Sequence, residues 1–434
     1  MRRFGVAALS AVSGLAASSA LASVPIFGGP TWDSTSGTGY LYPGLASAPN
    51  STAGNGTAVG YAAKYSGYTY LGPRAVRWDA SGAAATELGT LGTDDSGRTT
   101  SFAFALNTAG TAVGSAAKFS GNTSLGDRAV RWDASGTAAT ELGNLGTDGS
   151  GVTSSAPRAI NTAGTAVGWA TKYSGDTYLG ARAVRWDASG TAATELGNLG
   201  TNSGGVTSSE AYAINTAGTA VGYANKYSGN SSLGASAVRW DASGTAATEL
   251  GTLGTNGSGY TNSHAYAINI SGTAVGFARK YSGNSDLGAR AVRWDASGTF
   301  ATELGNLGTD GSGITESFAY AINSAGTAVG YAYKYGGNTS LGTRAVYWGL
   351  DGLAVDLNTL LSPADAAMWT LRDARGISDT NWITGIGGFD PDGPGGLAAY
   401  SRMFLIQIPA PSAAGPLALG GLIAAGVARR RRRR

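Results

Sequence analysis

The spacing of six tryptophans constrains the fold of this 434-residue chain more than any other feature. The six lie 54 residues apart without exception: Trp78, Trp132, Trp186, Trp240, Trp294 and Trp348. Each sits in the same unit, which over residues 159–200 contains AINTAGTAVG, a Lys-Tyr pair, RAVRWDASG and ATELGNLG. A period of this length is typical of repeat arrays and of β-propellers, in which each unit forms one blade.

Four strands can be read in each unit. In the copy that begins at Ser209, we predict strands over 211–214, 219–227, 237–240 and 245–253. The segments 215–218 and 241–244 separate strands as tight turns, in which glycine tolerates a positive φ and Asn or Asp caps the turn. Short strands with turn residues roughly every eight to twelve positions predict an all-β sandwich, barrel or propeller.

The near-identity of the copies favours a propeller, because every blade then has the same surroundings, whereas a sandwich gives its inner and outer strands different ones. Small residues of the second strand, such as Ala220, Gly222 and Ala224, are expected to let neighbouring blades approach closely. The tryptophan of the third strand is expected to fill the space between blades. A parallel β-helix is the alternative, although 54 residues is long for one coil.

Six Thr-Ala-Val-Gly strands are followed by a degenerate seventh over 376–385, so we predict seven four-stranded blades, with six as the alternative. The last unit lacks a fourth strand, and a strand around Tyr40-Leu41-Tyr42 is the candidate to supply it. The N- and C-terminal strands would then close the ring and leave no free sheet edge.

Both ends of the chain are typical of targeting segments. Residues 1–22 indicate a signal peptide, with Arg2 and Arg3 before an apolar stretch and a small-x-small cleavage site at 20–22. Residues 409–434 place Pro409-Ala410-Pro411 before 14 mostly apolar residues and six arginines. That apolar stretch is shorter than the roughly 20 residues of a membrane span, so we expect transient membrane retention with the arginines on the cytoplasmic side. The propeller is predicted to occupy 23–408.

The composition excludes several kinds of site. Because the sequence has no cysteine, disulfides, thiolate catalysis and cysteine-ligated metals are excluded. Without the eight arginines of the two ends, 22 basic residues face 27 acidic ones, a net charge of −5. A nucleic-acid footprint needs clustered lysine and arginine, which the repeats lack. We therefore expect no cofactor, no metal ion and no nucleic-acid partner.

A lysine followed by an aromatic residue recurs at the end of each second strand and is the candidate ligand-binding feature, here called the lysine–aromatic ring. Its members are Lys64, Tyr65, Lys118, Phe119, Lys172, Tyr173, Lys226, Tyr227, Lys280, Tyr281, Lys334 and Tyr335. In a propeller all six pairs would lie on one face, where aromatic rings and positive charge suit sugars with carboxylate or sulfate groups. The alternative is structural: the aromatic ring covers the space between blades and the lysine protects a sheet edge.

No catalytic set can be identified from the sequence. His264 is the only histidine, and other copies carry Phe102, Ala156, Glu210 or Phe318 at its position, so we expect no functional role for it. Triads and histidine-based metal sites are therefore not expected.

The charged residues of the repeat are expected to be structural. The aspartate that follows five of the six tryptophans suits a turn. Glu195 of the fourth strand and its equivalents are expected to oppose Arg185 and its equivalents as exposed cross-strand pairs worth about 0.2–1 kcal/mol.

The ordered phrases of the unit resemble the HAF-type extracellular repeat. The Gly-Ile-Asn-x-x-Gly-x-Val-Val-Gly strand of that repeat corresponds to residues 213–222, its His-Ala-Phe-Leu-Trp strand to 182–186 with Arg in place of the first His, and its Asp-Leu-Gly-x-Leu strand to 195–199. The resemblance covers nearly all of 51–408 and implies a surface location and a propeller-like fold. Residues 409–434 resemble the PEP-CTERM sorting signal of bacterial surface proteins, which a membrane-bound processing enzyme reads, with Ala410 in place of its glutamate.

These features predict an exported bacterial protein of the cell surface or extracellular matrix, with a structural or adhesive role and no enzymatic activity. Weak binding of extracellular polysaccharide through the lysine–aromatic ring would gain avidity from several equivalent sites. The alternative is a hydrolase or lyase that acts on polysaccharide. Such an enzyme needs a unique polar cluster, and we expect one only in the divergent segment 362–403.

Overall fold

A computed structural model of the chain describes residues 57–78, 85–393, 396 and 398–409, together with the short strand pair Asp33–Ser34 and Gly37–Thr38. Within these residues the repeats form seven consecutive antiparallel sheets, numbered here as blades 1 to 7 in chain order. Blades 2 to 6 have four strands each, and blades 1 and 7 have three. The fold is a β-propeller, which confirms the prediction from the 54-residue period.

The strands of each blade pair in chain order, from a first strand to a fourth. The first strands, in blades 2 to 7, are Ser101–Leu106, Ser155–Ile160, Ser209–Ile214, Ser263–Ile268, Ser317–Ile322 and Trp369–Ile377. The second strands, in blades 1 to 7, are Ala58–Ser66, Ala112–Ser120, Ala166–Ser174, Ala220–Ser228, Ala274–Ser282, Ala328–Gly336 and Trp382–Phe389. The third strands are Thr69–Trp78, Thr123–Trp132, Thr177–Trp186, Ser231–Trp240, Ser285–Trp294, Thr339–Trp348 and Tyr400–Gln407. The fourth strands, in blades 1 to 6, are Ala85–Glu87, Ala139–Glu141, Ala193–Glu195, Ala247–Glu249, Ala301–Glu303 and Ala354–Asp356.

A 3₁₀ helix, Leu357–Leu360, and a short α-helix, Pro363–Met368, connect blade 6 to blade 7. No helix in the described part of the chain is long and apolar enough to cross a membrane. The segments predicted as a signal peptide (1–22) and as a sorting signal (409–434, apart from Pro409) lie outside the described residues. The candidate closing strand around Tyr40-Leu41-Tyr42 lies outside them too.

The turn between the first and second strands is built by the asparagine and glycine of the repeat. In blade 3 the Asn161 Oδ1 accepts a hydrogen bond from the Thr165 backbone N–H at 3.0 Å, and the Gly164 N–H donates to the Asn161 carbonyl at 3.0 Å. Gly164 has a φ of +91°, which a residue with a Cβ rarely adopts. The equivalent turns of blades 2 to 7 meet around one axis, and this end of the propeller is here called the turn face.

The other end of the propeller is here called the loop face. Each second strand runs away from the turn face, so its last residues lie at the loop face, beside the start of the first strand. The pairing of Ser263 with Ala278 places Lys280 at this end of blade 5. The first strands line the axis, and the third and fourth strands lie further out.

The repeated tryptophan fills the space between neighbouring blades, as predicted. Trp240 of blade 4 is fully buried in one apolar cluster with Leu196 of blade 3. Its Nε1 donates a hydrogen bond to the Gly197 carbonyl of blade 3 at 2.9 Å. Ala220 and Ala224 lie in the same cluster with no exposed surface, which confirms that these small residues let the two blades approach.

Gly222 is small for a different reason. A Cβ at this position would lie 1.9 Å from the carbonyl oxygen of Glu210, which belongs to the same blade. The first strand carries a bulge between Ala211 and Ala213, opposite Gly222, and the bulge brings its backbone close. The expectation that Gly222 serves contact between blades is therefore wrong.

The predicted Arg185–Glu195 pair is also wrong. Glu195 lies opposite Val184, and Arg185 lies opposite Thr194, so the two charged side chains point to opposite sides of the sheet. Arg185 is only 7% exposed and crosses to the next blade. Its Nη1 donates to the Ala242 carbonyl at 2.8 Å, and its Nη2 donates to the Asp241 carbonyl at 2.9 Å. The arginine therefore fastens one blade to the turn of the next.

Candidate functional site

The six lysines of the lysine–aromatic ring end the second strands at the loop face, and each one is paired with a carboxylate of its own blade. The Nζ–O distances are between 2.6 and 3.0 Å in the pairs Lys64–Glu87, Lys118–Glu141, Lys172–Glu195, Lys226–Glu249, Lys280–Glu303 and Lys334–Asp356. Four of these carboxylates also face a buried arginine, as Glu195 faces Arg182 at 3.3 Å. The ring therefore presents compensated charges rather than free positive charge.

The backbone of the same lysines joins neighbouring blades. Lys118, Lys172, Lys226, Lys280 and Lys334 each form a parallel β-bridge with a leucine of the preceding blade, as Lys226 does with Leu199. The lysine position thus has a structural role, while its side chain remains 35–41% exposed.

Aromatic side chains accompany some of these pairs. Tyr65 lies 5.2 Å, centroid to centroid, from the half-exposed Tyr70, and Tyr173 lies 5.9 Å from the half-exposed Tyr178. Tyrosine faces beside hydrogen-bonding charged groups are suited to sugars. The structure thus brings each predicted lysine–aromatic pair to one face and adds a carboxylate to it. The ligand-binding role of the ring stays a prediction.

An axial channel is the second candidate site. Near the turn face it is lined by Leu106, Ile160, Ile214, Ile268, Ile322 and Ile377, the apolar residues that end the first strands. Further toward the loop face a cavity of about 230 Å³ is lined by tyrosine and arginine side chains. Six blades contribute equivalent positions to this channel, so a residue that differs between blades creates a unique feature there.

A series of asparagines, here called the asparagine ring, follows the channel at the turn face from blade 2 to blade 7. The Nδ2 of each asparagine donates to the backbone carbonyl of the next blade's asparagine, at 3.2–3.3 Å, from Asn107 through Asn161, Asn215 and Asn269 to Asn323. Asn323 continues the series to the Asn381 side chain of blade 7 at 3.1 Å. The same asparagines cap their own turns, so each stabilises both a turn and a blade contact.

Charged and aromatic residues of the first strands gather at the loop-face side of this channel and are here called the channel cluster. It comprises Arg158, Glu210, Tyr212, His264, Tyr266, Tyr320, Asp373 and Arg375, from blades 3 to 7. Arg158 Nε lies 2.5 Å from Glu210 Oε1 of the next blade, and Arg375 Nη2 lies 2.5 Å from Asp373 Oδ2. The cluster therefore holds two guanidinium–carboxylate pairs.

Three tyrosines form an arc between these charge pairs. The ring centroids of Tyr212 and Tyr266 are 5.6 Å apart, and those of Tyr266 and Tyr320 are also 5.6 Å apart. The guanidinium carbon of Arg375 lies 4.2 Å from the centroid of the Tyr320 ring, a cation–π contact. Arg158 occupies the equivalent position at the other end of the arc.

His264 packs inside this arrangement rather than on the surface. Its ring stacks on Tyr223 of the preceding blade with centroids 4.4 Å apart, and its Nδ1 lies 3.3 Å from the Tyr212 hydroxyl. Burial lowers the pKa of His264 to about 4, so the ring is neutral at pH 7. Burial likewise raises the pKa of Tyr266 to about 12, which keeps its hydroxyl protonated.

Burial also raises the pKa of the Glu210 and Asp373 carboxyls, and the neighbouring Arg158 and Arg375 oppose that rise. Tyr212 has a raised pKa for the same principal cause, burial. Tyrosines held in the hydroxyl form are good hydrogen-bond donors but poor nucleophiles and bases. The arrangement suits recognition of a ligand more than attack on one.

Sequence reasoning missed the channel cluster, although the signal was present. His264 and its counterparts were interpreted as unimportant because the position varies between copies. In a propeller, however, one unique site is built from positions that differ between identical blades. The divergent segment 362–403 contributes only Asp373 and Arg375, and the remaining members come from blades 3 to 6. Within the described residues no group of three or more His, Asp or Glu side chains is placed to hold a metal ion.

The comparisons with known proteins concern the fold. No family model matches the sequence, and no curated protein sequence matches it. Among solved structures, the β-propeller domain of the Trilobed protease from Pyrococcus furiosus is 8% identical, with a TM-score of 0.44 over 82% of this chain and 92% of that one. A chain from a structural study of two prolyl endopeptidases matches at 9% identity and a TM-score of 0.44, over 80% of this chain and 48% of that one. A gluconolactonase from Xanthomonas campestris matches at 11% identity and a TM-score of 0.28, over 80% of this chain and 82% of that one. These are likenesses of architecture.

Proposed function

We propose that the protein is an exported propeller of the bacterial cell surface or extracellular matrix, with an adhesive and structural role and no enzymatic activity. Its ligand in this proposal is extracellular polysaccharide. The observation that carries the proposal is the lysine–aromatic ring: one partly exposed lysine with a paired carboxylate and an adjacent aromatic residue per blade, repeated six times on the loop face.

The chemistry of the ring favours neutral over acidic polysaccharide. Each lysine is already neutralised by a carboxylate 2.6–3.0 Å away, so an acidic sugar would have to compete with that carboxylate. A neutral sugar can use the paired groups as donor and acceptor for its hydroxyls and stack on an aromatic face. Exposed contacts of this kind are individually weak, and six of them can act together on one long chain.

Retention on immobilised polysaccharide tests this function. A variant with all six ring lysines changed to alanine should lose most of its retention on insoluble neutral glucan, because every equivalent site is altered. The matched control changes the turn-face residues Asp133, Asp187, Asp241 and Asp295 to asparagine, which leaves the backbone hydrogen bonds of their turns in place. Retention of the lysine variant at the level of the control would contradict the proposal. If the unaltered protein shortened the glucan, the proposal that it has no enzymatic activity would be contradicted.

Export and sorting are tested separately. We propose that residues 1–22 direct export and that a membrane-bound processing enzyme removes the arginine tail. Cell fractionation with mass spectrometry of the mature C-terminus should find the protein on the surface or in the medium without Arg429–Arg434. An intact arginine tail in the membrane fraction would contradict the sorting step.

A further inference from the structure

The first strand of each blade combines invariant and variable positions in a pattern that points to one unique site. Its six residues read SFAFAL, SAPRAI, SEAYAI, SHAYAI and SFAYAI in blades 2 to 6. The first, fifth and sixth positions keep small or aliphatic residues. The second position varies among the blades, and the fourth is Phe in blade 2, Arg in blade 3 and Tyr in blades 4 to 6. The fourth position lines the channel, and the second lies in the layer around it, as the stacking of His264 on Tyr223 shows. The variable positions of the first strand therefore give each blade its own side chains beside the channel.

The fourth position supplies the lining of the cavity in blades 3 to 7. In ring order the residues are Arg158, Tyr212, Tyr266, Tyr320 and Arg375, so two guanidinium groups bracket three tyrosines. The ring-to-ring distances of 5.6 Å and the 4.2 Å cation–π contact make this a continuous arc of side chains. Such an arc offers aromatic faces and a row of hydrogen-bonding groups to a ligand in the channel.

The charges of the cluster decide which ligand fits. Glu210 compensates Arg158 and Asp373 compensates Arg375, each at 2.5 Å. An anionic ligand would have to displace a carboxylate, and a cationic ligand would have to displace a guanidinium, at the cost of leaving a charge unpaired. A neutral ligand with many hydroxyls can bind without breaking either pair.

We infer that the channel cluster binds one uncharged, hydroxyl-rich ligand, a single neutral sugar unit at the end of a glycan. The cavity volume of about 230 Å³ lies below the roughly 300–1,000 Å³ of pockets for drug-sized molecules, so it suits one sugar ring rather than a chain. The site is separate from the lysine–aromatic ring. It lies at the axis, is present once per molecule, and can exist whether or not the ring binds polysaccharide.

Calorimetric titration of the intact protein with small sugars tests the inference. The probes are cellobiose, maltose and N,N′-diacetylchitobiose as neutral sugars, and digalacturonate as an acidic one. At least one neutral sugar should bind with one site per molecule, and digalacturonate should bind at least ten-fold more weakly. Absence of binding by every neutral probe, or preference for digalacturonate, would overturn the inference.

Two conservative variants locate the site. Tyr266→Phe and Tyr320→Phe remove hydroxyls without removing the rings, and each should weaken binding of the neutral sugar about five-fold, the usual loss for one hydrogen bond. Tyr68→Phe is the matched control, because Tyr68 is fully exposed at the loop face. The affinity of this variant for the neutral sugar should equal that of the unaltered protein. Equal affinities for all three variants would place the sugar elsewhere and overturn the inference.

A third variant tests the charge argument. Glu210→Gln leaves Arg158 without its carboxylate, so binding of digalacturonate should increase at least three-fold while the fold is kept. No change in the preference between neutral and acidic sugar would contradict the charge argument. The six-lysine variant separates the two sites. If it loses retention on polysaccharide but still binds cellobiose, maltose or diacetylchitobiose in calorimetry, the small sugar binds in the channel, as inferred. If it no longer binds the small sugar, the lysine–aromatic ring is the site, and the inference is overturned.

Discussion

Removal of one inter-blade arginine should destabilise the propeller far more than removal of an exposed ion pair. Arg185 of blade 3 donates hydrogen bonds to four carbonyls of blade 4: those of Ala242, Asp241 and Gly244 at 2.8, 2.9 and 3.2 Å, and that of Gly218 at 3.4 Å. Because the residue is 7% exposed, water cannot fully replace it. We consider the change Arg185→Met, which keeps the aliphatic stem and removes the donors.

The expected loss of stability in Arg185→Met follows from these hydrogen-bond distances. A hydrogen bond that involves a charged group contributes about 1.5–3 kcal/mol. Counting only the two bonds below 3.0 Å gives about 3–6 kcal/mol, and the desolvation that lowers the pKa of Arg185 offsets part of it. We therefore expect the free energy of unfolding to fall by about 2–4 kcal/mol.

Urea unfolding followed by tryptophan fluorescence measures this loss, since a tryptophan lies between each pair of blades. Glu249→Gln is the comparison, because Glu249 forms a partly exposed pair with Lys226 in a blade that has Ser236 in place of the buried arginine, so its loss should cost less than about 1 kcal/mol. The inter-blade role of Arg185 would be refuted if both variants lowered the free energy of unfolding by less than about 0.5 kcal/mol. It would also be refuted if a double-mutant cycle showed that Arg185 and Glu195 are coupled to each other.

Three further predictions concern the core, the asparagine ring and the histidine. Trp240→Ala should lower the free energy of unfolding by about 3–5 kcal/mol, because it empties a fully buried site, whereas Phe300→Ala, at an 81% exposed position, should stay within about 0.5 kcal/mol in the same urea experiment. Asn215→Ala removes both a turn cap and a bond to the next blade, and differential scanning calorimetry should show a loss of about 1–3 kcal/mol, while an equal Tm would contradict the dual role. His264 has a folded pKa of about 4, below its ordinary 6.5, so the unfolded chain takes up the proton first and stability should fall as the pH drops from about 6.5 to 4. His264→Phe should remove that part of the pH dependence, and an unchanged pH profile would show that the ring is not held neutral.

The fold could be predicted from the sequence because every copy of the repeat contains the same residues that determine it. The 54-residue spacing of Trp240 and its equivalents, with turn residues between short strands, predicts blades, and the same tryptophans fill the inter-blade spaces. The alanines at 220 and 224 were interpreted correctly because small side chains in a repeated strand have one obvious use, close approach.

Register and bulges could not be predicted in the same way. The Arg185–Glu195 pairing failed because a shift of one residue in an antiparallel pair moves a side chain to the other face of the sheet. Gly222 was assigned to the wrong neighbour because the bulge at Ala211 and Ala213 leaves no clear signature in a single strand.

The candidate sites show a different limit of sequence reasoning. The lysine–aromatic ring was found because it repeats, and its carboxylate partners were missed because they lie about 23 residues away on another strand. The channel cluster was missed because its charged members and His264 do not repeat, and its tyrosine occurs in only three copies. The change from Arg158 to tyrosine at 212, 266 and 320 has a meaning only once the propeller places these positions around one axis.

The side-chain NMR signal of His264 provides the most direct test of the central claim, that the non-repeating residues converge in the channel to form one binding site. The sequence contains a single histidine, so one imidazole signal reports on the cluster without assignment. The pKa obtained from that signal should be about 4, and addition of the neutral sugar that binds in calorimetry should shift the signal in a saturable way. A pKa near 6.5 together with a signal that the sugar leaves unchanged would contradict the account.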